Sequence, residues 1–159
     1  MKFIYILIAL ITTITLRAQD NPERIEAKEL FTRIQKGGKP AVVQFWVPNC
    51  KSKEEIVQSY KELVEKHSDK IDFYFVGITN LPSLIIELDK KLNFEYPFYY
   101  LGGNKEKDLM ERKTEFAGTL IELFNQGTKK DFITLYIKNS DNIYYDESIE
   151  VDISKILDL

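Results

Sequence analysis

The sequence predicts an α/β fold with a central mixed sheet, and three observations carry that prediction. Residues 41–47 (AVVQFWV) and 71–79 (IDFYFVGIT) are continuous apolar runs, the pattern of strands buried on both faces of a sheet. Between them, Ile56, Val57, Tyr60, Leu63 and Val64 recur on one face at a period near 3.6 across residues 52–67. A strand–helix–strand unit follows, with parallel pairing through a right-handed crossover. Farther on, β-rich residues 132–137 and 143–145 flank Asn139-Ser140-Asp141-Asn142, a turn sequence that predicts a hairpin.

Each element has its own signal. A polar lead ending near Pro22 precedes a first amphipathic helix with Ile25, Leu30, Phe31 and Ile34 as its stripe and Gly37-Gly38 as its stop. Pro40 then leads into the first strand. The helix over 52–67 has Glu54 and Glu55 in its first turn and Lys66 and His67 in its last, the order a helix dipole favours. Pro82 suits the first turn of a helix running to about Leu92, with Leu84, Ile85, Leu88 and Leu92 facing the core. Residues 96–101 (YPFYYL) read as extended and end at Gly102-Gly103. The charged stretch 104–113 reads as a surface loop or frayed helix, and a helix over 114–125 stops at Gly127. After the hairpin, Asp152 caps a short last helix carrying Ile153, Ile156 and Leu157.

Residues 1–18 are set apart from the fold. One cation, Lys2, is followed by an apolar core over 3–16 and a small residue, Ala18, before Gln19; this predicts a cleavable export signal. The run is short for a spanning helix, and no later segment is apolar enough to cross a bilayer, so no stable membrane insertion is expected after its removal. Residues 19–159 then form one domain of a length that supports a sizeable core. Without Lys2 and Arg17 the domain holds 20 basic against 25 acidic side chains. Interspersed charges with an acidic balance give no electrostatic footprint for nucleic acid.

The chain has one cysteine, Cys50, and one histidine, His67. That pair supplies no zinc ligand set, so no metal is expected. No Gly-rich phosphate loop, carboxylate pair or dinucleotide fingerprint is present, and no cofactor is called for. His67 falls at the far end of the helix that follows Cys50, where it reads as a surface residue. Tyr96, Phe98, Tyr99 and Tyr100 read as sheet core, with an exposed aromatic face as the alternative. A lone cysteine in an exported chain is free, paired with another molecule, or a small core residue.

The order of elements, with Phe45-Trp46 shortly before the thiol, resembles the thioredoxin superfamily and, within it, exported TlpA-like thioredoxins. In that family the first strand ends as FWAxWC with a second cysteine three residues on; here Phe45, Trp46, Val47, Pro48, Asn49 and Cys50 are followed by Lys51, Ser52 and Lys53. FITLYIKNSDNI, residues 132–143, lies without a gap on the family's PTTFLIDKDGKI-like hairpin, and LNFEYPFYYL resembles the segment ending in FPVL. The resemblance implies a thioredoxin-like three-layer α/β/α sandwich. It implies Cys50 as nucleophile, and Trp46, Pro48, Asn49 and Phe132 as the groove beside it.

The chain departs from the family at the reacting positions. Lys53 stands where the resolving cysteine would be, Phe132 where a cis-proline would be, with Pro97 a rival for that role, and Gln44 where a carboxylate would titrate. A non-proline cis bond costs about 2.5–4 kcal/mol, so the peptide before Phe132 is expected trans. A peroxiredoxin would carry Thr or Ser and Pro where this chain has Val47 and Val43. Two functions follow as expectations. The first is monothiol disulfide exchange by Cys50, its thiolate favoured by a helix N-terminus and by Lys51 and Lys53, with a protein or a low-molecular-weight thiol or disulfide as partner. The second is a non-catalytic binding module that presents the Cys50 loop and the loop before Phe132, with Cys50 inert.

Overall fold

A computed structural model describes residues 21–127 and 129–157; the signal segment expected over 1–18 lies outside them. The described chain runs β1 (Glu23–Ile25), α1 (Ala27–Gly37), β2 (Ala41–Trp46), α2 (Lys53–His67), β3 (Asp72–Gly77), α3 (Ser83–Leu92), β4 (Phe98–Leu101), α4 (Leu109–Leu123), β5 (Thr134–Ile137) and β6 (Ile143–Asp146). A single 3-10 turn, Ile153–Lys155, follows. The strands form one sheet in the order β1-β4-β3-β2-β5-β6. β1, β4, β3 and β2 are parallel to one another, and β5 and β6 are antiparallel additions. This is the mixed sheet of a three-layer α/β/α sandwich.

The alternation of side chains along the strands divides the core in two. On one face Val43, Phe45, Val76 and Leu135 pack under α1 and α4, through Leu30, Ile34, Phe116 and Leu120. On the other, Val42, Trp46, Phe73, Phe75 and Tyr136 pack under α2 and α3, through Val57, Tyr60, Ile85 and Leu88. β2 has no exposed residue along its length. It carries a near-continuous apolar run because it is covered on both faces and paired on both edges, by β3 and β5.

Four expectations are corrected. Ile25 does not begin the first helix; residues 23–25 form an edge strand in register with Tyr99, Tyr100 and Leu101. Helix formation waits until Ala27, and the Glu26 carboxylate accepts from the Gly103 amide, 2.9 Å away, instead of capping its own helix. The fourth helix begins at Leu109, five residues earlier than the stripe predicts, because Asp108 Oδ1 accepts from the amides of Met110 and Glu111. Arg112 and Lys113, read from sequence as solvated charge, are 3% and 6% exposed. The Arg112 guanidinium donates to the carbonyls of Leu101 and Gly102 and to Asn80. The Lys113 ammonium lies over the rings of Phe45 and Phe132, at 5.6 and 5.4 Å. Lastly, the expected final helix is only the 3-10 turn, although Asp152 does cap it through the Ser154 amide.

The segment after β6 is held on the α2 face of the sheet by side chains. Gln44 Nε2 donates to the Ile149 carbonyl, Thr134 Oγ1 to the Ser148 carbonyl at 2.9 Å, and the Asp152 amide to the Tyr136 hydroxyl at 2.9 Å. Ile156, buried, joins the same core. The tail is thereby part of the packed layer.

Candidate functional site

β2 delivers the chain to the end of the sheet at Trp46, and the thiol follows in two successive turns. The Cys50 amide donates to the Val47 carbonyl at 3.2 Å, with Pro48 at the second position of the turn, where its fixed φ suits. The Lys53 amide then donates to the Cys50 carbonyl at 3.4 Å. The helix begins at Lys53 with Ser52 as N-cap, and the Ser52 side chain makes no capping bond. The thiol therefore precedes the helix, whose first residue is Lys53, one position after the start expected at Ser52. Pro48 is the reason: the turn it nucleates uses up residues 47–50 before helical geometry starts.

Cys50 is half-buried, and Val47, Asn49, Lys51 and Ser52 around it are exposed. The other expected groove residues are placed differently. Trp46 is sealed, its ring against Phe98 at 5.5 Å and edge-on to Tyr60 at 5.9 Å. Phe132 is sealed in the opposite core, 5.9 Å from Phe45 and 6.3 Å from Tyr145. Trp46 and Phe132 thus lie on opposite faces of the sheet and do not share a surface. Pro48 is buried as well, its ring beside Gly77. Among the described residues the one cis peptide precedes Pro22, so those before Phe132 and Pro97 are trans.

Lys53 is the first residue of α2 and half-exposed. Its charge helps hold the Glu54 carboxyl below its ordinary range, after the larger effect of the Lys91 ion pair. Gln44 is fully buried on the α2 face; its amide nitrogen is used by the tail and its Oε1 has no hydrogen-bond partner. His67 ends α2 on a groove shared with Ile56, Leu63, Ile149 and Val151. At 1.5 Å per residue it lies about 20 Å along the helix from Lys53. Of the four aromatics of residues 96–100, Phe98 and Tyr99 are buried and Tyr96 and Tyr100 half-buried, as expected of sheet core.

No family model matches the chain, and neither does any curated protein. Solved structures resemble it. One is a secreted Mycobacterium tuberculosis disulfide oxidoreductase homologous to E. coli DsbE, 19% identical, with a TM-score of 0.38 over 47% of this chain and 53% of that one. Another is MTB DsbF in its mixed oxidized and reduced forms, 17% identical, with a TM-score of 0.44 over 70% of this chain and 71% of that one. The match to the first spans about half of that protein's length.

Sequence reasoning missed Tyr60 as a buried hydroxyl without a hydrogen-bond partner. It is stacked on Phe75, with centroids 3.9 Å apart, and its hydroxyl is held well above the ordinary phenol pKa by burial and then by the charge of Cys50. A hydroxyl on an otherwise apolar helical stripe was the available signal, because a buried hydroxyl needs a partner. Chemically, the arrangement offers one accessible sulfur on a turn, two flanking lysines and, among the described residues, no cluster of side chains able to hold a metal ion.

Proposed function

We propose that this chain is an exported monothiol member of the TlpA-like thioredoxins that exchanges thiols and disulfides through Cys50. The observation that carries this reading is the placement of Cys50: half-exposed, on the turn that follows the central strand, with Lys51 and Lys53 beside it. The Cys50 thiolate attacks one sulfur of a disulfide, a mixed disulfide forms, and the other sulfur leaves as a thiolate. Lys53 has no sulfur with which to resolve that species. Resolution falls to a second thiol from outside the chain, so the partner is a protein or low-molecular-weight thiol or disulfide. Lys53 serves instead as a cation near the thiolate.

Reaction of the folded protein with oxidised glutathione tests this: a mixed disulfide on Cys50 is expected in the intact mass, released by a second thiol. An unmodified chain after prolonged incubation overturns the exchange reading. Export is tested by sequencing the N-terminus of protein recovered outside the cytoplasm, where a start at Gln19 is expected.

A binding module is the second reading, favoured by the exposure of two apolar side chains at this end of the sheet. Val47 is 40% exposed, and Leu81 is 60% exposed on the loop that the Ile78 amide ties to Trp46. Under this reading a Cys50→Ser variant keeps its function.

A further inference from the structure

A groove lies between α2 and the tail that follows β6. It is lined along α2 from Ser52 to His67, about 22 Å at 1.5 Å per residue, and encloses about 570 Å³. Its floor is apolar: Ile56, Leu63 and Val151 are half-buried there, and Ile149 is 40% exposed. The tail wall is fixed in place, since Gln44 Nε2 donates to the Ile149 carbonyl and Thr134 Oγ1 to the Ser148 carbonyl. A wall held this way loses little conformational freedom when a ligand arrives.

Charge and position define what the groove can take. Its rims are acidic, with Glu55 and Glu62 on α2 and Glu150 on the tail, against Lys66 and the His67 imidazole at the far end. Lys66 pairs with Glu62, 4.0 Å away. Glu55 and Glu150, one on each wall, are exposed and form no ion pair among the described residues. An apolar floor under unpaired carboxylates fits a segment that alternates apolar and basic side chains. Ser52 follows Cys50 by two residues, so its Cα lies within about 7 Å of that of Cys50. A chain extended in the groove at about 3.3 Å per residue fills it with about seven residues and ends at the Cys50 turn.

We infer that the groove along α2 docks an extended segment of a partner protein, about seven residues that alternate apolar and basic, and so presents that partner's disulfide to Cys50. The inference rests on the reading of Cys50 as an exchanging thiol and adds the class of substrate, a polypeptide rather than a small disulfide. Docking leaves the chemistry unaltered. The Cys50 thiolate forms the new S–S bond with one sulfur of the partner as the old S–S bond breaks, and the other sulfur departs with the electron pair as a thiolate. The gain lies in effective concentration, because a segment held in the groove keeps its disulfide near the thiol. Opposite charge on the rims also speeds encounter, and salt weakens that effect.

The test uses the purified, reduced protein and a pair of synthetic peptides that alternate leucine with lysine or leucine with glutamate, each ending in a cysteine held in mixed disulfide with thionitrobenzoate. Release of thionitrobenzoate reports the rate. At low salt the lysine peptide is expected to react about tenfold faster than the glutamate peptide, the scale of a few exposed ion pairs. Glu55→Lys with Glu150→Lys should abolish that preference and leave the rate with hydroxyethyl disulfide, which is uncharged, as in wild type. Glu87→Lys with Glu122→Lys makes the same change of net charge at exposed positions of α3 and α4 and should retain the preference. Equal rates for the two peptides overturn the proposal, as does a preference that survives the groove variant or vanishes in the control; exchange stands if hydroxyethyl disulfide still reacts. A wild-type dimer that the groove variant splits into monomers in sedimentation also overturns it, since a second copy then fills the groove. Should Cys50 react with no disulfide, exchange falls, and fluorescence anisotropy of the labelled lysine peptide on Cys50→Ser decides docking. Saturable binding that Glu55→Lys with Glu150→Lys removes upholds the docking site, and no binding sinks both readings.

Discussion

Replacing Lys53 by cysteine is the most informative single change, because the turn geometry states in advance whether a bridge can close. The Lys53 amide reaches the Cys50 carbonyl at 3.4 Å. A four-residue turn closed in this way holds its end Cα atoms within about 7 Å. A disulfide spans about 4.4–6.8 Å between Cα atoms, so Lys53→Cys brings two thiols into bridging range without moving the backbone. Closing a four-residue loop removes roughly 6 cal/mol/K of chain entropy, or about 2 kcal/mol at 25 °C, an upper figure because a small ring tolerates little strain. The oxidised variant should therefore unfold in urea at a higher midpoint than its reduced form, by at most that amount. The new thiol stands on the first residue of α2, where a thiolate is favoured, and so should resolve mixed disulfides on Cys50. The assay is a count of free thiols after oxidation by glutathione disulfide, followed by reduction of a protein disulfide with dithiothreitol as donor. Two free thiols persisting in the folded, oxidised variant refute the geometry.

Arg112→Met strips donors from Leu101, Gly102 and Asn80 and should cost roughly 2–4 kcal/mol in urea unfolding; Arg112→Lys recovers little, since an ammonium cannot span the same fork. Burial between Phe45 and Phe132 lowers the Lys113 pKa, against a smaller opposing effect of Asp131. The unfolded chain then binds more protons than the folded one between the lowered value and the ordinary lysine value, and stability rises with pH across that window. Lys113→Met should be at least as stable as wild type at pH 7, and its advantage should shrink as pH climbs toward 10.5, as read from thermal midpoints. Gly77→Ala puts a methyl 2.7 Å from Ile85 Cδ1 and 3.1 Å from Pro48 Cγ. A loss of about 1–3 kcal/mol is expected, together with a changed rate of Cys50 alkylation, because Pro48 shapes the thiol's turn.

The parallel core was legible because β2, α2 and β3 announce themselves locally, through apolar runs and a helical stripe bounded by charge. The hairpin was equally plain in Asn139 to Asn142, whose Asn139 side chain accepts from the amides of Asp141 and Asn142. β1 was not legible, since three residues hold no period and its partner β4 is far along the chain. Arg112 and Lys113 were misread for a related reason. Charge signals solvent until distant carbonyls or rings come to meet it, and those of Gly102 and Phe132 arrive only on folding. At the site, the sequence placed Cys50 between the central strand and the helix, because the apolar run breaks at Pro48 and the helical stripe begins only beyond the thiol. Trp46 and Phe132 were grouped by resemblance. Phe132 lies two residues before β5, and the alternation that puts Thr134 and Tyr136 on the Trp46 face would have put it there too; instead the irregular backbone ahead of β5 turns its ring into the opposite core, which no pattern in the sequence shows.

The anchoring of residues 148–152 by Gln44, Thr134 and Tyr136 bears on the order in which the molecule can be completed. The face that α2 and α3 roof receives its last strip of cover only when residues 148–152 have followed the hairpin out of the ribosome. A ribosome-bound fragment ending at residue 147 would carry the whole sheet with Gln44, Thr134 and Tyr136 still lacking these partners.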